Sequence, residues 1–268
     1  MRHLKTLPIP PTRDALGLGL AGRRPLVLRS LGLVGLVLAW ALAVALARST
    51  PVPSPLRVAA GMLELVQRQV IVRHTVASLF RVTWGYLGAL ALALPLGLLL
   101  GWFRRGELAL SPLLQVLRPI SPLAWIPISI LWFGVGDVSA IFIIFLASFF
   151  PLVTTVASAV RGVPEVHLRA GRNFGLTSAA LLWRVVLPAA IPRIFVGMRL
   201  TLGVAWLVVV AAEMLGVNSG LGFLILDARN AGNRYDLVMA TMVLIGGIGV
   251  GLDALMRWLQ RAMDGSTR

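Results

Sequence analysis

VTWGYLGALALALPLGLLLGWF, residues 82–103, is a run of 22 residues without a charge, set between Arg81 and Arg104. An α-helix rises 1.5 Å per residue and needs about 20 apolar residues to cross roughly 30 Å of hydrocarbon. The stretch therefore reads as a membrane span, and its surroundings repeat the pattern. Upstream, Leu26 to Ala47 is interrupted only by Arg29. Downstream, Leu108 to Gly136 carries one charge, Arg118, and is studded with Pro112, Pro119, Pro122 and Pro127. Interior prolines remove helical hydrogen bonds, so a broken or kinked span is expected there. Val138 to Val160 is a clean fourth span with a kink expected at Pro151. A fifth runs from about Ile194 to Val217 and carries Arg199 and Glu213. The sixth, Leu237 to Met256, holds Gly246, Gly247, Gly249 and Gly251, which permit close helix contact. The predicted fold is an all-α polytopic membrane protein with six transmembrane helices.

Composition points the same way. Of 268 residues, 58% are apolar and 13% charged, where a soluble domain carries about 25% charge. Ordinary soluble enzymes are thereby excluded. There are 25 Lys+Arg against 10 Asp+Glu, a net charge of +15. Nucleic-acid binding needs a soluble basic face, whereas these arginines flank apolar runs, so the expected partner is the lipid bilayer and not nucleic acid. The absence of cysteine excludes disulfides, thiolate catalysis and Cys-ligated metal. His3, His74 and His167 are scattered without metal-ligand spacing, and no metal site is expected.

The arginines also set the orientation. With the N-terminus inside, fifteen Lys/Arg fall in cytoplasmic segments and six outside (Arg48, Arg57, Arg68, Arg73, Arg229, Arg234). This excess predicts both termini in the cytoplasm. Arg81, Arg118, Arg193 and Arg199 lie within or at the edges of spans, and Arg81 and Arg193 read as orientation anchors. Ala45-Leu46-Ala47 resembles a signal-cleavage site, but the apolar stretch and its basic leader are long for one, so a retained span is expected. Residues 1–25, with Pro8, Pro10 and Pro11, read as a flexible cytoplasmic tail, and 26–262 as one membrane domain. Ser54 and Pro55 look like the cap and first residue of an amphipathic helix, Leu56 to Val72, with Glu64 and Arg68 at a favourable four-residue spacing.

Residues 161–190 are too apolar for a flexible linker and too polar to cross. Pro164 opens a short helix, Glu165 suits its first turn, and Gly175 ends it in a left-handed conformation. Ser178 is the expected cap of a second helix, Ala179 to Leu187, stopped by Pro188. Two short helices joined at a glycine on the cytoplasmic face form either a docking surface or a helix resting on the inner leaflet.

Within this loop, Arg169-Ala170-Gly171, then Gly175, then nine residues, then Val185-Val186-Leu187-Pro188 resembles the "EAA…G…I-x-L-P" loop of ABC-importer permeases. Arg169 stands where that pattern has glutamate, and Gly171 where it has its second alanine. Arg118-Pro119-Ile120-Ser121-Pro122-Leu123-Ala124-Trp125-Ile126-Pro127, Ile130 to Gly134, Ala212 to Gly216 and Asn218 to Gly222 resemble the permeases for aliphatic sulfonates, taurine and nitrate. So does His74 to Gly101, with Ser78, Arg81, Gly85, Pro95 and Gly97. The resemblance covers 54–261. It implies a type I ABC-importer permease fold in the bacterial inner membrane, a homodimeric pore, two cytoplasmic ABC ATPase subunits docked on the loop, and an extracytoplasmic solute-binding protein. The chain has no G-x-x-x-x-G-K-[ST] phosphate loop, so no cofactor is expected in it; ATP and Mg would be bound by the partner ATPase, and the chain itself is not an enzyme. Glu165, Arg169, Ala170, Gly171, Gly175, Val185, Leu187 and Pro188 are the expected coupling residues.

Ionisable groups inside a bilayer normally face protein or a water-filled path. Arg118, Arg199 and Glu213 are therefore candidates for the translocation path of an anionic solute, or else packing ion pairs. Arg199 and Glu213 are 14 residues, about 21 Å, apart along one helix, too far to pair with each other. Asn218, Ser219, Gly220 and Gly222 are candidates for an outer gate or re-entrant turn. Two rivals are weaker. An ion-coupled secondary transporter would need more membrane carboxylates than Glu213 and an inverted repeat. An intramembrane hydrolase would need a nucleophile and base that the scarcity of His and Cys disfavours.

Overall fold

The computed structural model describes residues 24–46 and 52–266. The expected tail thus lies almost wholly outside the described residues, as does Ala47 of the cleavage-like motif. Residues 1–57 and 58–268 form two separate units. The first contains α1 (Arg24–Leu46), whose apolar stretch is Val34–Leu46; in it Ser54 accepts a 3.5 Å hydrogen bond from the Arg57 backbone as α2 (Pro55–Gln67) begins.

The second unit is built on α3 (Val70–Trp102) and α6 (Asp137–Arg161), which lie against each other along their length. The approach is close because glycine faces aliphatic side chains. A Cβ at Gly85, Gly97 or Gly101 would meet Ile144, Val156 and Val160 at 2.6–2.8 Å. α9 (Leu187–Gly216) completes the core, with Val186, Ala190 and Ile194 buried against Ala93, Leu100, Val153 and Val156. Polar side chains bridge the helices, although the Thr75 hydroxyl of α3 is buried without a partner among the described residues. Tyr86 donates to the Met198 carbonyl at 2.6 Å, and the Trp206 indole donates to Ile245 in α11 (Tyr235–Ser266) at 3.0 Å.

Four described helical runs are long and apolar enough to cross a membrane: Val70–Trp102, Asp137–Arg161, Ser178–Gly216 and Tyr235–Met263. The proline-rich segment is split into α4 (Arg104–Leu117) and Pro122–Phe133, bent by 80° between them, and makes a fifth when the bent pair is counted as one span; within the second piece α5 (Ile126–Phe133) is regular. With α1 these are compatible with six spans without fixing that number. Pro151 does not interrupt α6, where Thr155 donates its hydroxyl to the Pro151 carbonyl.

Three local expectations are corrected. Thr177, not Ser178, caps the second loop helix, accepting from the Ala180 backbone at 3.3 Å. Pro188 does not stop it. α8 (Ser178–Leu181) passes through a π turn at Leu182–Val186 directly into α9. There the Leu187 N–H reaches back five residues to Leu182, so the ladder is already shifted where proline lacks its donor. The fifth span accordingly starts well before Ile194. In the sixth, only Gly249 meets a neighbouring side chain, Trp206 at 3.1 Å; Gly246, Gly247 and Gly251 have open space beside them.

Arg234, just before α11, ties that helix to α2. It donates to Glu64 at 2.6 Å and to Asp236 at 2.7 Å, and Glu64 also pairs with Arg68 at 2.6 Å. The hydrogen bond from Arg234, helped by the charges of Arg234 and Arg68, holds the Glu64 carboxyl below its ordinary range. A depressed folded value means that the tie is present above the unfolded value and lost as pH falls through the folded one. Backbone exchange of residues 58–67, corrected for intrinsic rate, is expected to quicken on acidification below the carboxylate range. Arg234→Gln should abolish that extra pH dependence; identical profiles for the two proteins would refute it.

Candidate functional site

In the loop, α7 (Glu165–Asn173) begins after Pro164 and closes on Gly175, whose φ of +75° is the left-handed turn expected there. Gly175 N–H donates to Arg172 and Leu176 N–H to Gly171, so the last carbonyls of α7 are satisfied. Gly171 is buried, and the space a Cβ would need is occupied by Leu181. That contact explains glycine in place of the pattern's alanine: it lets α7 close on α8. Arg169 points outward and pairs with Glu165 one turn earlier at 3.0 Å. The loop's outer face is apolar at three points, since Val166, Phe174 and Trp183 are exposed, Phe174 by 86%.

At the other end of α9 the chain reverses at Val217–Gly220 and enters α10 (Leu221–Asn230). A helix start leaves backbone donors unpaired and carries partial positive charge. Here three successive N–H groups are each met by a side chain from another helix or helix end. Gly220 donates to His74 Nδ1 at 3.0 Å, Leu221 to Ser78 Oγ at 2.9 Å, and Gly222 to Glu213 Oε2 at 3.0 Å. Because His74 accepts at Nδ1, its proton sits on Nε2; the ring also stacks on Phe223.

Glu213 is completely buried, and Arg81, 2% exposed, neutralises it. Arg81 Nη1 donates to Glu213 Oε1 at 2.6 Å and to the Ser219 carbonyl at 2.8 Å; Nη2 donates to Ser219 Oγ at 2.5 Å, and Nε to Asp137 at 2.8 Å. Ser78 adds a 2.8 Å bond to Glu213. Arg81 is therefore no orientation anchor. It is the buried centre of an ionic knot joining α3, α6, α9 and the turn, whose α6 member, Asp137, is exposed. Of the turn residues, Gly220 (φ +106°) and Gly222 are buried, and a Cβ on Gly220 would overlap the Glu213 carboxylate. Asn218 alone is exposed.

Arg199 and Glu213 go to separate partners. Arg199 pairs with Asp253 of α11, which also holds Arg257 at 2.6 Å. Arg193 donates to the Gly162 carbonyl at 3.1 Å. Arg118 differs from both. It follows α4 at the bend, its side chain makes no hydrogen bond or ion pair among the described residues, and it lines two cavities of about 370 and 360 Å³ that also share Thr154. No group of three metal-ligating side chains occurs among the described residues.

This architecture has known counterparts. The family described as binding-protein-dependent transport system inner membrane component matches residues 93–268. The chain belongs to that family. A relative from Methanocaldococcus jannaschii, provisionally named ABC transporter permease protein MJ0413, is 44% identical over 191 residues, 71% of each chain. The Bacillus subtilis protein provisionally named aliphatic sulfonates transport permease protein SsuC is 36% identical over 215 residues, 80% of this chain and 78% of its own. Among solved structures, a chain of the MetNI methionine ABC transporter in an inward-facing conformation superposes with a TM-score of 0.65 at 19% identity, over 72% of this chain and 96% of that one. The type I permease fold expected from the sequence is thus the fold observed. The protein is a multi-pass inner-membrane permease of the ABC-importer family.

Within the permease, His74, Ser78 and Asp137 escaped sequence reasoning as partners of Glu213 and Arg81. A signal was present. His74, Ser78, Arg81 and Gly85 fall at intervals of four, three and four, one stripe of a helix, and a polar stripe on an apolar span needs a buried partner.

Proposed function

We propose that this permease carries a small oxyanion into the cytoplasm by alternating access, an aliphatic sulfonate first, taurine or nitrate otherwise. The relative named for aliphatic sulfonates aligns over 80% of the chain, which supports that order. Two copies would form the pore, two ABC ATPases would supply ATP hydrolysis, and an extracytoplasmic binding protein would deliver the solute, with both termini in the cytoplasm. The reading rests chiefly on one observation: the loop 161–190 is a compact two-helix element with Phe174 exposed at its turn and a helix continuous with α8 leading into the membrane. A partner gripping Glu165 to Pro188 would move α6 and α9. The ion-coupled rival loses ground because Glu213, the carboxylate it would protonate, is held by Arg81, Ser78 and Gly222.

The test is Gly175→Val in the complex reconstituted with its ATPase and binding protein. No side chain obstructs a Cβ at Gly175, but φ of +75° is strained by about 1–2 kcal/mol for any other residue. The loop should change shape while the membrane core stays intact. Stimulation of ATPase activity by loaded binding protein is expected to vanish with thermal stability nearly unchanged. Unaltered stimulation would contradict the coupling role.

A further inference from the structure

We infer that the cleft where Arg118 and Arg193 meet α6 is an oxyanion-binding station inside the permease, and that Arg199 and Glu213 are not part of it. The inference rests on the reading above that the transported solute is a small oxyanion. Both arginines line one cavity of about 360 Å³ with Thr154, Thr155 and Ser158, room for on the order of ten waters at about 30 Å³ each. No carboxylate lines it. The adjoining cavity contains one acid, Glu107, and that is already paired with Arg161. Two guanidinium groups thus share a space without a counter-charge, a repulsion that an anion between them would relieve.

The donors suit an oxyanion. The Arg118 guanidinium is uncommitted among the described residues, while Arg193 spends one nitrogen on Gly162. The Ser158 hydroxyl makes no bond among the described residues, whereas the Thr154 and Thr155 hydroxyls donate to backbone carbonyls. Planar guanidinium forks match the oxygen spacing of sulfonates, nitrate and phosphate esters. The cleft runs along the last two turns of α6, from Thr154 to Ala159, at the end of the helix nearest the 161–190 loop. By contrast Arg199 is neutralised by Asp253 and Glu213 by Arg81.

The same chemistry fits a passing solute or the headgroup of an anionic lipid, and one experiment separates them. The full chain, assembled with its ATPase in phosphatidylcholine nanodiscs, is titrated with radiolabelled ethanesulfonate; in a second arm, retained phosphatidylglycerol is measured by native mass spectrometry. Wild type should bind one probe, with Arg118→Gln at least tenfold weaker, Arg118→Lys in between and Arg229→Gln, a distant exposed arginine, unchanged. Arg118→Gln removes no hydrogen bond or ion pair found among the described residues, so its thermal midpoint should match wild type. Retention of ethanesulfonate identifies the occupant as solute, and Arg118-dependent retention of phosphatidylglycerol identifies it as lipid. Equal binding by wild type and Arg118→Gln, or no binding of either probe, overturns the station. If the wild-type complex imports no oxyanion at all, the functional reading fails instead, and the Arg118 binding ratio still decides the cleft.

Discussion

Replacing Arg81 by methionine is expected to lower the stability of the folded permease by about 3–5 kcal/mol, the cost of removing one partner from a buried ion pair. Glu213 would remain completely buried with only Ser78 and the Gly222 N–H as donors, and the Ser219 carbonyl and hydroxyl would both lose their partner. Arg81→Lys keeps the charge but cannot reach Asp137, Glu213 and Ser219 together, so it should fall between wild type and Arg81→Met. The double variant Arg81→Met/Glu213→Gln is the deciding one. A neutral amide can still accept from Gly222 and Ser78, and a large part of the lost stability should return. Chemical unfolding in mixed micelles, followed by tryptophan fluorescence, measures all three. If the double variant is no better than Arg81→Met, the damage comes from lost packing and not from a stranded carboxylate.

Gly222→Val is the second large effect, and it acts through sterics. A Cβ at Gly222 would run into the Val210 carbonyl oxygen and lie 2.9 Å from Glu213 Cβ. The first obstacle is backbone of α9 and cannot rotate away. α10 would have to lift from α9, straining packing by about 1–3 kcal/mol and breaking the hydrogen bond from Gly222 to the Glu213 carboxylate, worth about 1.5–3 kcal/mol for a charged acceptor. A combined loss of about 3 kcal/mol or more is expected in the same unfolding assay. Gly246→Val, with open space around it, should cost far less. Comparable losses at the two positions would show that helix propensity, not the contact with α9, governs the effect.

Most of the fold was legible because the bilayer imposes a coarse rule: charge-free runs of about 20 residues cross, and prolines mark where they bend. The 80° break between Leu117 and Pro122 was readable from Pro119 and Pro122 for that reason. Gly175 was legible because few residues other than glycine accept its backbone angle. Pro188 misled because its effect depends on the π turn just before it, and no local pattern announces a π turn. Arg81 misled for a different reason. Its partner Glu213 is 132 residues away, and position at a span edge says only where an arginine is affordable. α10 was missed because a ten-residue helix between spans carries neither a membrane-length run nor a strong cap; its cap is assembled from α3 and α9.

The uninterrupted path from Ser178 to Gly216 has a mechanical corollary. Its 39 residues make a rod about 58 Å long at 1.5 Å per residue, with the loop at one end and the Arg81–Glu213 knot near the other. Had Pro188 severed it, a tug on the loop would dissipate in a flexible joint. As a single lever, a tilt of about 10° would displace the far tip by roughly 10 Å, so under the proposed coupling a nudge at one membrane face would arrive at the opposite face as a stroke.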